Sequence, residues 1–379
     1  MTTVIHGFCE PRFEPLREAF KRNFDDGLEL GASLALTWQG RPVVDLWAGW
    51  ADRERTRPWE ENTVTPVAST TKVAMTVCAL TLLDRGLIAL DAPVARYWPE
   101  FAQGGKGEVT ILDALTHRAG VPGFAEPVRF EQVCDWDYIT ARVAAEPHWF
   151  PGERRIAYHS MTYGFPLGEV LHRVDGRKPS QFFRDEIAGP LGCDFQIALA
   201  DQAEMTRVAE ILPPPPPAAP PPAGTLAARI LGSVQPSADR DTWAGRSAEQ
   251  PSGAGVANGR AIARLTSMMA MGGSLNGRTW LSGDLVHASA TRQAHGECPL
   301  LGGVAFGLGF GLSSDTFKYP SPTTHGWGGF GGSWALMDPA TGVSLGYAPN
   351  NFSIYGFRID PRLARIGPAL SEVLADLAG

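Results

Sequence analysis

Ser69-Thr70-Thr71-Lys72 places a hydroxyl and one of the chain's five lysines three residues apart. The apolar run that continues from Thr71 to about Arg85 predicts a buried helix. If Ser69 opens that helix, its hydroxyl and the Lys72 amine share one face. A serine needs a base to become a nucleophile, and a lysine shielded from water near a helix N-terminus has a lowered pKa suited to that task. The alternative is a capping serine beside a solvated lysine.

A second polar motif, Tyr158-His159-Ser160, follows Pro151-Gly152 and precedes a predicted helix from Met161 to Val174. A tyrosine close to a lysine ammonium can be held partly as phenolate, which would deprotonate a hydroxyl or an attacking water. The alternative for Tyr158 is a half-buried aromatic side chain with an ordinary hydrogen bond. We interpret His117, His159 and His325 as scaffold residues that hold the site through hydrogen bonds.

The third motif is the glycine-rich segment from Gly326 to Ser333, which leads into a predicted strand. Glycines let a strand edge approach a substrate closely, with a backbone N–H available for an oxyanion. The segment also matches G-x-G-x-x-G, but it continues as strand and turn, so a dinucleotide site is not predicted. G-x-S-x-G is absent, and its nearest match, from Gly331 to Ala335, ends without the last glycine, which argues against a conventional α/β-hydrolase.

Strand signals lie at both ends of the chain and helix signals in the middle. The hydrophobic spacing predicts a first helix that ends before Gly27 and a C-terminal helix over 366–377. Predicted strands cover 32–38, 42–48, 304–312, 333–338 and 343–347. The pattern predicts an α+β fold in which both termini build one antiparallel sheet flanked by terminal helices. The predicted sheet domain is 1–70 plus 256–379, and the mainly helical domain is 71–255, with a proline-rich polyproline II loop at 213–222.

The composition of the chain excludes several classes of partner and cofactor. The net charge is −7 and no basic tract occurs, so nucleic acid is not an expected partner. The five cysteines form no C-x-x-C pair and no H-E-x-x-H occurs, so neither a metal nor any other cofactor is predicted. The first 13 residues lack signal-peptide features, and no apolar run is long enough to cross a bilayer. We therefore expect a cytoplasmic protein without membrane association.

Four segments together resemble the serine β-lactamase-like proteins, and family VIII carboxylesterases among them. They are STTK at 69–72, LTHRAGVPGF at 115–124, PGERRIAYHS at 151–160 and WGGFGGSWALMDPATG at 327–342. The resemblance extends over roughly residues 10–378. It implies that Ser69 is the nucleophile, Lys72 its partner and Tyr158 the catalytic tyrosine. It also implies an oxyanion hole formed by the backbone N–H groups of Ser69 and Phe330, and a substrate-binding motif at Trp327, Gly328 and Gly329.

Two substrate-binding positions depart from the class C β-lactamases that the chain resembles. Ser160 stands where those enzymes typically have asparagine, and Trp327 stands where they have lysine. A short hydroxyl and a neutral indole favour an uncharged small-molecule ester over an anionic lactam. We therefore expect a serine hydrolase of short-chain carboxylic esters that works through an acyl-enzyme. The alternatives are a β-lactamase or D-amino-acid amidase on the same fold, and a catalytically silent binding protein.

Overall fold

The computed structural model describes residues 3–214, 220–353 and 360–378. Its centre is a nine-stranded antiparallel sheet. The strands are β1 His6–Cys9, β2 Gly31–Trp38, β3 Arg41–Gly49, β4 Thr65–Pro66, β5 Val256–Ala257, β6 Ser274–Leu275, β7 Arg278–Thr279, β8 Ala294–Cys298, β9 Gly302–Phe306, β10 Gly311–Leu312, β11 His325–Gly328, β12 Trp334–Asp338 and β13 Val343–Pro349. Nine of these strands form the sheet in the order β1-β3-β2-β13-β12-β11-β10-β9-β8, so the sheet takes its strands from both ends of the chain.

In the sequence, most of the helices lie between the N-terminal strands β1–β3 and the C-terminal strands β8–β13. They are α1 Glu14–Asp25, α2 Thr71–Asp84, α3 Ile111–Leu115, α4 Phe130–Cys134, α5 Trp136–Ala145, α6 Gly164–Asp175, α7 Pro179–Phe183, α8 Gly189–Leu191, α9 Leu226–Leu231, α10 Trp243–Arg246, α11 Gly259–Ala270, α12 Gly283–Ala290 and α13 Leu363–Ala378. Among the described residues, no helix is both long and apolar enough to cross a membrane.

The terminal helices α1 and α13 pack together against the sheet. Phe20 of α1 and Leu370 of α13 belong to one buried cluster with Leu34 and Leu345 of the sheet. Both helices carry their apolar residues at helical spacing, so each buries one stripe and leaves the other side polar. The predicted α+β fold, with a sheet built from both termini and terminal helices on it, is confirmed.

Helix α2 lies in the larger core, where almost every side chain from Thr71 to Leu82 is buried. A helix that is apolar on all sides is stable only when it is surrounded by protein. The backbone N–H of Val67, just before this helix, donates to the carbonyl of Gly255 (2.9 Å), and β4 pairs with β5 nearby. The chain therefore leaves the sheet region and returns to it at neighbouring points. The domain boundaries at residues 70 and 256 stay a prediction.

Two local predictions differ from the structure, and a third falls partly outside the described residues. The strand predicted over 304–312 is interrupted, because residues 307–310 turn between β9 and β10. The helix predicted from Met161 begins at Gly164, since residues 160–163 form a turn. Of the proline-rich loop, Pro213 and Pro214 line the large cavity described below, whereas 215–219 lie outside the described residues.

Candidate active site

The nucleophile candidate lies in a tight turn just before α2. Residues Ala68–Thr70 form a 3₁₀ turn and α2 begins at Thr71, so the helix begins two residues after Ser69 and not at Ser69 itself. Ala68 has a φ of 44°, a left-handed conformation that is uncommon for a residue with a side chain. The Thr71 hydroxyl holds this turn by donating to the Ala68 carbonyl (2.6 Å). Strained backbone of this kind concentrates at functional sites.

Lys72 points back from the first turn of α2 to Ser69. Its Nζ lies 3.0 Å from Ser69 Oγ and donates to the backbone carbonyls of Ser160 (2.8 Å) and Ser252 (2.9 Å). The side chain is 1% exposed, and burial lowers the pKa of Lys72 well below its usual range. Desolvation is the cause, because burial penalises the charged ammonium. Among the ion pairs of the described residues, none includes Lys72.

Tyr158 completes the group of three predicted catalytic side chains. Its hydroxyl hydrogen-bonds Ser69 and accepts from Nε1 of Trp327 at 3.3 Å. Its ring centre lies 5.0 Å from Lys72 Nζ. Burial raises the pKa of Tyr158 to about 12, even though its hydrogen bonds with Ser69 and Trp327 lower it. The prediction of a partial phenolate is therefore wrong: at neutral pH the tyrosine is a phenol that can donate its proton.

Two buried histidines, His117 and His159, lie next to Tyr158 and are fixed by hydrogen bonds to the backbone. His117 Nδ1 accepts the backbone N–H of His159 (3.1 Å), and the His117 ring packs 4.8 Å from that of Tyr158. His159 Nε2 accepts the N–H of Val121 (3.2 Å), and its Nδ1 lies 2.6 Å from the Ala157 carbonyl. Burial keeps the pKa of both rings below its usual range, that of His159 at about 3. These fixed neutral rings agree with their interpretation as scaffold. His325 is also buried, in β11.

The glycine-rich motif forms β11 and the loop that joins it to β12. A Cβ on Gly329 would overlap the Val67 carbonyl, so only glycine lets this loop reach the nucleophile turn. Ser333 fastens the two together, since its hydroxyl donates to the Val67 carbonyl (2.7 Å) and lies 2.9 Å from Thr70 Oγ1. Phe330, the second predicted oxyanion residue, therefore lies on a loop that is bonded to the turn bearing Ser69.

Two of these contacts escaped sequence reasoning. Ser252 supplies a carbonyl to Lys72, and its hydroxyl accepts the N–H of Gly164 (2.8 Å). The strand predicted over 333–338 includes Ser333, which is a fully buried link to the nucleophile turn in the structure. A turn-rich run from Pro251 to Gly255 was the only signal for the first. Ser160, predicted to bind substrate, contacts Lys72 through its carbonyl and lines the cavity.

The site opens into a cavity of about 1270 Å³. Ser69, Tyr158 and Trp327 lie in its wall, and apolar side chains form much of the remainder, among them Ile230, Val234, Leu301, Phe317 and Phe352. Such a cavity with a few convergent polar groups is typical of a small-molecule site.

Comparison with known proteins assigns the family. The Beta-lactamase family model matches residues 20–366, so the chain belongs to the beta-lactamase family. The chain is 33% identical to the Esterase/beta-lactamase LipL of Mycobacterium tuberculosis (strain ATCC 25618 / H37Rv), over 91% of this chain and 83% of that protein.

Two solved structures are similar over nearly the whole chain. A family VIII carboxylesterase superposes with a TM-score of 0.89 at 34% identity, covering 98% of this chain and 100% of that one. A penicillin-binding protein homolog from Caulobacter crescentus superposes with a TM-score of 0.88 at 37% identity, with the same coverage. The resemblance predicted from the sequence motifs is confirmed.

Proposed function

We propose that this protein hydrolyses carboxylic esters through an acyl-enzyme on Ser69. The class, a serine ester hydrolase on the β-lactamase fold, is confirmed by the esterase relative and the carboxylesterase neighbour. The single observation that carries the proposed mechanism is the environment of Lys72. A buried amine that faces a serine hydroxyl and two carbonyls is suited to accept a proton.

When Lys72 is neutral, its hydrogen-bond partners give the proposed proton path its direction. A neutral amine has two N–H donors and one lone pair, and the carbonyls of Ser160 and Ser252 accept only, so they take both donors. The lone pair is left for the Ser69 hydroxyl. The Trp327 indole donates only, so Tyr158 accepts from it, and in the proposed path its own hydrogen is offered to Ser69. The series of hydrogen bonds runs from the Trp327 indole to the Tyr158 phenol. It continues to the Ser69 hydroxyl and the Lys72 amine, and every donor in it has an acceptor.

Acylation follows from this arrangement. Ser69 Oγ attacks the ester carbonyl carbon while its proton passes to Lys72 Nζ, 3.0 Å away. The backbone N–H groups of Ser69 and Phe330 stabilise the oxyanion. When the tetrahedral intermediate collapses, the bond to the alcohol oxygen breaks and that oxygen takes the proton of Tyr158. The Lys72 ammonium then returns a proton to Tyr158, and the acyl group remains on Ser69.

Deacylation uses the same groups with water in place of serine. Lys72 Nζ accepts a proton from the attacking water, whose oxygen bonds to the acyl carbon, while Tyr158 stays a phenol. The bond to Ser69 Oγ then breaks and Lys72 returns that proton to the serine, which releases the acid. No net proton is left on the protein, so each cycle ends in the starting state.

Trp327 and Ser160 favour an uncharged ester. The Trp327 ring packs 5.5 Å from Tyr158 and 5.4 Å from Phe306, so it presents an apolar wall where a lysine would present a cation. A charge-assisted contact to a carboxylate is typically worth about 1.5–3 kcal/mol, which an anionic lactam would forgo here. The preference for short acyl chains stays a prediction, because a cavity of about 1270 Å³ also has room for larger groups.

A side-by-side rate comparison tests the proposed substrate class. We would measure kcat/KM for aryl esters with two to ten acyl carbons, for nitrocefin and for a D-alanyl amide, with Ser69→Ala as the background. We expect the four-carbon ester to be the fastest of the three classes. Faster nitrocefin turnover would support a β-lactamase, and faster amide turnover an amidase. Absence of turnover and of fluorophosphonate labelling would support a silent binding protein. The cytoplasmic location and the absence of nucleic-acid partners stay predictions.

A further inference from the structure

The loop that carries Phe330 rests on a buried arginine from the other end of the chain. Arg362 is fully buried, and its Nη2 donates to the carbonyl of Gly331 (2.6 Å). We call residues 329–332 the glycine loop. The loop is closed by hydrogen bonds from Gly329 N to the Ser333 carbonyl (2.8 Å) and from Gly332 N to the Gly329 carbonyl (3.0 Å). Arg362 contacts the loop on the residue that follows Phe330.

The loop is shaped to fit this guanidinium. Gly331 and Gly332 have φ values of 97° and 101°, which glycine adopts most readily. A Cβ on Gly332 would overlap Arg362 Nη2, and a Cβ on Gly331 would overlap the ring of Phe352. The two glycines therefore let the loop lie directly on an arginine and a phenylalanine.

The guanidinium of Arg362 also contacts three other residues, Asp360, Asn351 and Glu29. Asp360 accepts from Nε (3.0 Å) and from Nη2 (2.7 Å), which fixes the plane of the group. Nη1 donates to the Asn351 carbonyl (2.7 Å) and lies 3.4 Å from Glu29 Oε2. The Tyr347 hydroxyl donates to the other oxygen of Glu29. Burial raises the pKa of Glu29 to about 8, and of the two carboxyl groups Asp360 lies closer to the guanidinium (2.7 Å against 3.4 Å).

We propose that Arg362 is a positioning residue for ester hydrolysis, which fixes the Gly331 carbonyl and thereby the orientation of the Phe330 N–H toward the oxyanion. The inference rests on the proposed function, since it presupposes that Phe330 contributes to the oxyanion hole. The nucleophile side of the loop is held by Ser333 and the opposite side by Arg362. A planar group with several donors at fixed angles can bridge a carbonyl and a carboxylate, and an ammonium cannot reproduce that geometry.

An oxyanion donor stabilises the transition state and not the bound ester, so its misplacement lowers kcat and leaves KM nearly unchanged. Complete loss of one such donor costs about 10²–10³-fold, and we expect Arg362→Lys to lower kcat by about 10–100-fold. Phenylboronic acid, which forms a tetrahedral adduct on a nucleophilic serine, should lose affinity by the same factor. Asp360→Asn loosens the guanidinium and should show the same pattern to a smaller degree.

Glu29→Gln is the matched control. It alters the same buried cluster, but in the described structure Glu29 contacts Arg362 only at Nη1 (3.4 Å), where the glutamine oxygen can still accept, whereas Asp360 shares Nη2 with the Gly331 carbonyl. We expect its kcat and boronic acid affinity to stay within about threefold of wild type. All assays would be run at least 10 °C below each variant's melting temperature, so that only folded protein is compared.

The proposal is overturned if Arg362→Lys and Asp360→Asn both keep kcat within about threefold, or if kcat falls without the parallel loss of boronic acid affinity. It is also overturned if Glu29→Gln lowers kcat as much as they do. If Arg362→Lys does not fold, Asp360→Asn alone decides. A failure of the proposed function would give a result distinct from a failure of the Arg362 proposal. Wild-type protein would then bind no boronic acid at Ser69, and Ser69→Ala would remain active.

Discussion

Replacing Lys72 by methionine removes the proposed base and keeps a buried side chain of similar length. The other group bonded to Ser69 is Tyr158, whose pKa is raised to about 12, so at pH 8 only about one part in 10⁴ of it is phenolate. Since general-base catalysis contributes about 10²–10⁴-fold, we expect Lys72→Met to lower kcat/KM by about 10³-fold. The residual activity should depend on that small phenolate fraction.

The pH profile separates the base from a structural lysine. Because burial lowers the pKa of Lys72, the neutral base persists to lower pH than for a solvated lysine, and wild-type kcat/KM should fall only below that lowered pKa. In Lys72→Met this acidic limb should vanish, and kcat/KM on p-nitrophenyl butyrate should rise about tenfold per pH unit between pH 8 and 10.

Lys106 offers a matched control within the same chain. It is also fully buried, and its Nζ donates to three backbone carbonyls, those of Gln103 (2.6 Å), Ala144 (3.0 Å) and Glu146. Lys106→Met should lower the melting temperature but keep kcat/KM of the folded protein within about threefold. The reasoning is refuted if Lys72→Met retains more than a tenth of wild-type kcat/KM, or if Lys106→Met loses as much as Lys72→Met.

Three further predictions concern the catalytic side chains, Trp327 and the proline-rich segment. Tyr158→Phe should lose at least about 10²-fold in kcat, and combining it with Lys72→Met should cost far less than the product, because both act on one proton path; strictly multiplicative losses would assign one of them a merely structural role. Trp327→Lys should shift the ratio of kcat/KM for esters and cephalosporins toward the cephalosporin, since it restores a cation in the site; an unchanged ratio would contradict this. Shortening the proline-rich segment 213–222 to a few glycines should move the melting temperature little, whereas a collapse in soluble yield would show that it packs as structure.

Local patterns predicted the elements that position the site. The two neighbouring β-prone runs of β2 and β3 and the helical spacing of the apolar residues in α1 and α13 were sufficient, although β2 is buried on both faces. The edge strand β1 was not predicted, since its residues His6, Gly7 and Phe8 are exposed and show no alternation. The break between β9 and β10 was also missed, because an apolar run of glycine and phenylalanine does not reveal where the chain turns.

The features of the site that the sequence did not predict depend on contacts between residues far apart in the chain. The motifs identified Ser69, Lys72 and Tyr158, and the structure brings them together. Ser252 is 180 residues from Lys72 in the chain, and its contribution is a backbone carbonyl, which any residue type can supply. The protonation state of Tyr158 depends on burial by neighbours that local spacing does not identify.

The most direct test of the account is the mass of the protein during turnover. Mixing wild type with excess p-nitrophenyl butyrate and quenching in acid within seconds should yield a butyryl adduct, and peptide mapping should place it on Ser69. Ser69→Ala should show no adduct and should lose about 10⁴–10⁶-fold in kcat, because no other group forms the intermediate. An adduct that persists on another residue in Ser69→Ala, or activity within tenfold of wild type, would contradict the account.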